Sequence, residues 1–164
     1  MTTTPKRAGV FSFDVEAMES PDARRLLAAY QAELAQRFDM RVAVSTENHP
    51  EEFRPPRGVF LVVRRDGVAV GCGGVRPLAD GTGELKRMFL DESVRGLGLG
   101  RRLLSALEEH AAAAGYEVLR LDSRLGLTTA ITMYRSAGYR EIPPYNDNPD
   151  AQIWMERSLA GGAV

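Results

Sequence analysis

Three glycines alternate with leucines between arginines in Arg95-Gly96-Leu97-Gly98-Leu99-Gly100-Arg101-Arg102. Glycine lets backbone N–H groups approach a ligand with no Cβ in the way. The apolar periodicity that follows reads as a helix, whose first N–H groups lack intrahelical partners and carry partial positive charge. Such a helix start suits a phosphate. Arg101 and Arg102 fall in its first turn, where a cation is disfavoured by about 0.3–1 kcal/mol, and no acid accompanies them. A bound polyanion would supply the missing negative charge. The plain alternative, a glycine-rich connection packed close to a sheet, explains neither the alternation nor the arginines. Two other phosphate motifs do not fit. The nucleotide P-loop ends in Gly-Lys-Ser/Thr, whereas Arg101 follows Gly100 here. The dinucleotide fingerprint spaces its glycines Gly-x-Gly-x-x-Gly, and here the third comes one residue early.

The remaining reactive residue types narrow the chemistry by exclusion. Cys72 is the lone cysteine, so the chain has no disulfide framework and no thiolate zinc set; lying between glycines in a predicted strand, it reads as a buried spectator. His49 and His110 are far apart in sequence, which argues against a metal site. His110 falls on a helix surface, and His49 lies in a variable loop, where it either reaches substrate or stands in solvent. The formal charge of −1 offers no bulk attraction to nucleic acid or to a membrane. With 164 residues, 44% of them hydrophobic and 26% charged, the chain has the make-up of one ordinary globular domain. Met1 to Arg7 is polar and basic with no apolar stretch behind it, so no signal peptide is expected and the cytoplasm is the default location.

The elements that would position the glycine motif follow from periodicity and turn signals. Val10 to Val15 alternates as a strand. Ser20-Pro21-Asp22 opens a helix whose buried stripe is Leu26, Leu27, Tyr30, Leu34 and Phe38. Residues 39–57 read as irregular, with a short helix around Glu51. Asp66-Gly67 joins strands at Val59 to Arg64 and Val68 to Val75 as a hairpin. A second turn at 79–83 leads to a strand from Glu84 to Leu90. Leu99 to Ala114 is a helix, Glu117 to Asp122 a strand, and Leu127 to Ala137 a helix closed by Gly138. Strands at Tyr139 to Ile142 and Gln152 to Ser158 finish a domain spanning 8–159, between a frayed start at 1–7 and a tail at 160–164. The order predicts an α/β mixed sheet, with parallel neighbours joined by a right-handed crossover between Glu84 and Asp122.

With these residues in view the chain resembles the GNAT (GCN5-related N-acetyltransferase) superfamily. Arg95-x-x-Gly98-x-Gly100 is similar to its pyrophosphate motif, Glu84-Leu85-Lys86-Arg87-Met88-Phe89-Leu90 to its fourth strand, and Ala130-Ile131-Thr132-Met133-Tyr134-Arg135-Ser136-Ala137-Gly138-Tyr139 to its helix-four signature. The likeness runs from about Gly58 to Leu159 and is weak over the first third.

The resemblance implies a mostly antiparallel sheet whose parallel central strands, the fourth and fifth, splay at a β-bulge, with helices on both faces. It implies acetyl-CoA as co-substrate and no metal. Backbone groups of Met88, Phe89 and Leu90 would hold the pantetheine arm, and amides of Arg95, Gly96, Leu97, Gly98, Leu99, Gly100 and Arg101 the pyrophosphate. An amide near Phe89 or Leu90 would stabilise the thioester oxygen.

By the same likeness Glu84 would be the base for the attacking amine; the alternative is a surface carboxylate paired with Lys86. Tyr134 would be the acid for the leaving sulfur; the alternative is core packing with Leu127, Ala130 and Ile131. Glu84, His49, Tyr145 and Asn146 would face the acceptor, a small-molecule amine, although Tyr145 to Asp150 also reads as a solvated turn and Trp154 as core. Leu127 departs from the pattern, since many relatives place Asn or Gln there. A homodimer is a common arrangement in such folds. The rival functions are an acyl-CoA sensor without turnover, a transferase acting on a protein or peptide amine, and one using an alcohol or a longer acyl chain.

Overall fold

A computed structural model describes residues 9–38 and 49–159. The expected tails at 1–7 and 160–164, and the irregular stretch as far as residue 48, lie outside the described residues. The elements are β1 (Phe11–Val15), α1 (Pro21–Phe38), a 3-10 turn (Pro50–Phe53), β2 (Val59–Arg65), β3 (Val68–Ala79), β4 (Thr82–Leu90), a second 3-10 turn (Glu92–Val94), α2 (Leu99–Ala113), β5 (Val118–Ser123), α3 (Thr128–Ser136), β6 (Arg140–Ile142) and β7 (Ile153–Ser158). Among the described residues the strands form one sheet in the order β1-β2-β3-β4-β5-β7-β6. Every pairing is antiparallel except β4 with β5.

Local sequence accounts for most of this. The run Val59 to Val63 is apolar on both faces and wholly buried, as a central strand must be. Asp66 and Gly67 take φ of 48° and 84°, the left-handed pair that a two-residue hairpin turn needs. The Ser20 hydroxyl caps α1 by accepting from the Ala23 amide at 3.1 Å. The β3–β4 hairpin is longer than periodicity predicts: β3 continues past Val75 to Ala79, which pairs with Thr82 across a tight turn at Gly81.

Helices cover both faces, and each face has its own core. Leu99, Leu103, Leu104 and Leu107 of α2 and Ile131 of α3 pack with Leu61, Val75, Leu85 and Leu119 on one face. On the other, Ala23 and Leu26 of α1 pack with Phe60, Val62, Cys72 and Phe89. Burial of each large apolar side chain contributes about 1.5–3 kcal/mol.

One irregularity sets the layout of the fourth strand. Cys72 pairs with Phe89 and Gly74 with Lys86, so β4 uses one residue more than β3 over that interval. The extra residue is at Arg87, whose φ of 62° marks a β-bulge. Beyond it the alternation is reset. Leu85, Met88 and Leu90 contact the α2 side, while Phe89 joins the α1 side, the side that alternation also assigns to Glu84 and Lys86.

Candidate active site

The parallel pairing between β4 and β5 is brief. Thr82, Gly83 and Glu84 pair with Val118, Leu119 and Arg120, and there it ends. β4 runs on to Leu90 against β3 alone, while β5 turns with β7 through Ser123. From Leu85 to Leu90 the β5-facing edge of β4 has no strand partner among the described residues. It is an unpaired row of backbone donors and acceptors, of the kind that an extended ligand can join. Met88, Phe89 and Leu90 stand on it.

At the end of β4, Asp91 turns the chain by accepting from the Ser93 amide at 3.1 Å. Gly96 and Gly98 then adopt φ of 80° and 76°, and Gly98 is the N-cap of α2. A side chain at either position would force the left-handed region that β-carbons disfavour. Among the described residues no backbone carbonyl accepts from the amides of Gly96 to Arg101; the first helical bond is Arg102 N–H to Gly98 O at 3.3 Å. This run of free amides at a helix start suits a diphosphate.

The neighbouring arginines divide their tasks. The Arg95 amide bonds to Glu92 O at 3.3 Å, and its guanidinium donates to Leu90 O at 3.0 Å and to Glu33 at 2.6 Å, tying the loop to β4 and α1. Arg101 is exposed and only loosely held, 3.5 Å from the Ser136 hydroxyl. Arg102 turns away to lie over the rings of Phe13 and Phe11, at 5.2 and 5.8 Å. The expected pair of first-turn cations beside the anion site is therefore one cation, Arg101; ring contacts keep the other on the β1 side.

A buried polar network fills the α1 side below the opening. Glu84 has no exposed surface. Its Oε1 takes Arg76 Nε at 2.9 Å and lies 3.6 Å from Lys86 Nζ, and its Oε2 accepts the Tyr145 hydroxyl at 2.6 Å. The alternative of a surface carboxylate is thereby overturned; cross-strand partners that no local pattern announces close over it. Arg76 continues to Glu52 at 3.1 Å, and Lys86 to Asp122 at 3.4 Å. Asn146 donates to Asp122 at 2.7 Å and accepts the Trp154 indole N–H at 2.9 Å. Burial first, and then the Glu84 carboxylate, push the Tyr145 hydroxyl well above the ordinary tyrosine value, so it stays protonated and donating.

Tyr134 comes from the opposite face. Its ring packs in the α2-side core, edge-on to Tyr139 at 5.8 Å. Burial, and secondarily the Tyr30 phenol, raise its hydroxyl above the ordinary value. Tyr30 belongs to α1, with its ring 5.6 Å from Phe89.

The chain matches the model of the Acetyltransferase (GNAT) family over residues 21–139. It belongs to that family. An IAA acetyltransferase of Azospirillum brasilense is 41% identical over 103 residues, which cover 61% of this chain and 67% of the relative. Among solved structures, a Klebsiella pneumoniae protein described as an acyl-CoA N-acyltransferase is 29% identical, with a TM-score of 0.74 over 92% of this chain and 98% of its own. An aminoglycoside 6′-N-acetyltransferase complexed with coenzyme A shares the fold at 16% identity, with a TM-score of 0.66 over 90% of this chain and 97% of its own. This GNAT protein is an acetyl-CoA-dependent N-acetyltransferase.

The GNAT site contains residues that sequence reasoning passed over. Asp122, Arg76 and Glu52 complete the network, yet each lies on a separate element and no spacing links them; Asn148, of the turn at 145–150, also reaches Asp122 at 3.4 Å. The signal that could have flagged Asp122 is a charged residue inside the predicted strand 117–122. Trp154 was expected in the core; it is half-buried, with its N–H directed into the network. His49 is exposed and pairs with Glu51 at 3.3 Å, whereas its neighbour Glu52 reaches the network through Arg76. Cys72 is fully buried, and burial pushes its thiol up to about 12. Among the described residues no group of His, Cys, Asp and Glu has the geometry to hold a metal, and no helix is long and apolar enough to cross a membrane.

Proposed function

We propose that this enzyme acetylates the primary amine of a small molecule by direct attack in a ternary complex, with Glu84 and Tyr134 on opposite sides of the β4–β5 opening. The observation that carries this reading is the opening itself, flanked by a run of free amides at one end and by a buried carboxylate network on the α1 side. Acetyl-CoA supplies an activated acetyl thioester. The amides of Gly96 to Arg101 and the side chain of Arg101 hold its diphosphate, and the free edge at Met88, Phe89 and Leu90 holds its extended arm.

Proton handling falls to the chain's own residues. A primary amine, with pKa near ~10, is mostly protonated at neutral pH and must lose a proton before it attacks. Glu84 is the terminal acceptor. Both its oxygens are engaged, so the amine proton arrives through Tyr145, whose hydroxyl passes its own proton to Oε2 as it takes another. The new N–C bond then forms at the acetyl carbonyl carbon as the C–S bond breaks. Tyr134 donates toward the leaving sulfur. Its raised value makes outright transfer to a thiolate of pKa near ~8.5 uphill, so it donates a hydrogen bond to the sulfur and relays to it the second proton, the one nitrogen sheds as the amide forms. Tyr145, Asn146 and Trp154 stand on the acceptor side, where their hydroxyl, amide and indole groups suit a small polar molecule.

The test is an acceptor screen that reads free thiol from acetyl-CoA, repeated with Glu84→Gln and Tyr134→Phe. Turnover that depends on both residues supports the assignment. Acetyl-CoA binding without thiol release across the panel would favour a sensor instead.

A further inference from the structure

Basic side chains surround the opening, and most are already matched. Arg76 pairs with Glu84 at 2.9 Å and Glu52 at 3.1 Å. Lys86 pairs with Asp122 at 3.4 Å, and Arg120 with Glu156 at 3.1 Å. Arg124 donates to Asp150 O at 3.1 Å and covers the Phe38 ring at 4.9 Å. Arg87 differs: among the described residues its guanidinium has no hydrogen bond and no ion pair. It is nonetheless half-buried, where an unmatched cation is costly.

Its backbone sharpens the contrast. Arg87 is the bulge residue, at φ 62°. Glycine or asparagine would hold that conformation at lower cost; a long side chain there adds about 1–2 kcal/mol of strain. Strain of this kind persists where the side chain it aims has a use. Met88 faces α2, so the bulge sets Arg87 beside Lys86 on the α1 side, where the Cys72 thiol donates to the Arg87 carbonyl at 3.4 Å and Lys86 reaches Asp122 of β5 at 3.4 Å. A cation on β4 and a carboxylate on β5 thus stand at the same opening, on the side assigned to the acceptor. The diphosphate is not the partner of this cation, because Arg87 precedes Leu90 by three strand residues, roughly 10 Å short of the end from which the free amides follow.

We infer that Arg87 anchors a carboxylate of the acceptor, so that the amine acetylated belongs to an amino acid or a similar amino carboxylate. This rests on the amine-transfer reading above and adds the substrate class to it. A guanidinium offers paired N–H donors that match a carboxylate, and the half-buried setting strengthens the bond.

The experiment compares matched acceptors with and without the carboxylate: lysine against cadaverine, phenylalanine against phenethylamine, and glutamate against 4-aminobutyrate, which retains only the distal acid. Thiol release gives kcat/KM, and calorimetry on the coenzyme A-loaded protein gives acceptor binding apart from turnover. The wild type should favour the intact amino acid of its preferred pair by about 10-fold or more, the range of a charge-assisted hydrogen bond. Arg87→Gln should bring that ratio close to one and weaken amino-acid binding about 10-fold, with Arg87→Lys retaining part of both. Arg87→Gly, whose backbone suits the bulge, should do the same in a protein that melts no lower than wild type. A wild-type preference for the decarboxylated amines, or a ratio unchanged in the Gln and Gly variants, would overturn the inference and leave amine transfer standing. Absence of thiol release with every acceptor would bring down both.

Discussion

The Tyr145 hydroxyl donates a 2.6 Å hydrogen bond to Oε2 of Glu84, a carboxylate with no exposed surface, across 61 positions of sequence. The bond ties the loop after β6 to the last β4 residue that still pairs with β5. It holds the proposed proton acceptor at the point where the sheet begins to open.

Removing that bond tests both its structural and its chemical part. Tyr145→Phe leaves one oxygen of a buried carboxylate without its donor, a loss of about 1–3 kcal/mol, read as a lower urea midpoint. Turnover should fall as well, because the proton path to Glu84 is cut. Glu84→Gln keeps the shape and removes the acceptor, and should lower kcat. A Gln variant with wild-type rate would end the base assignment.

Tyr134→Phe removes a hydroxyl and keeps the ring that packs against Tyr139. Thermal melts should hardly change, and kcat should drop by about 10²-fold if the hydroxyl serves the leaving sulfur. An unchanged kcat beside an unchanged melting point would reduce Tyr134 to packing.

The two first-turn arginines should separate cleanly. Arg101→Ala is expected to weaken coenzyme A binding and reduce its salt dependence, as loss of a phosphate contact does. Arg102→Ala should leave affinity near wild type and cost about 0.5–1 kcal/mol of stability through the lost contacts with Phe11 and Phe13. Gly98→Ala adds left-handed strain of about 1–2 kcal/mol and puts a methyl beside the free amides, so affinity and stability should fall together. Equal effects of Arg101 and Arg102 on titration calorimetry would contradict the geometry.

Stability should decline on the alkaline side. Burial raises the folded-state values of the Cys72 thiol and of the Tyr134, Tyr139 and Tyr145 phenols. Each group therefore binds its proton more tightly folded than unfolded. Their contribution is complete below the unfolded values, 9.0 for the thiol and 10.0 for the phenols, and is lost as pH rises through the folded ones. Cys72 alone accounts for up to ~1.4 kcal/mol per pH unit in the window from 9.0 to about 12. Urea midpoints of wild type and Cys72→Ala should converge between pH 8 and pH 11. Parallel curves would show that the thiol does not titrate on unfolding.

Short-range chemistry determined the elements and the anion cradle. Asp66-Gly67 takes left-handed angles in almost any setting, the apolar run at Val59–Val63 has to be buried on both sides, and Gly96 and Gly98 free the amides that open α2. Each depends on neighbours a few positions away, so each is legible in one dimension. Packing decided the rest. The bulge at Arg87 is a mismatch between two strands, visible only when β3 is laid beside β4. Glu84 is buried rather than exposed because Arg76 and Tyr145 arrive from other elements to satisfy it, and Arg102 leaves the anion site because two β1 rings are there to receive it. Charge and hydrogen-bond pairing act through space at about 3 Å, and sequence order carries no record of which distant residues will come that close.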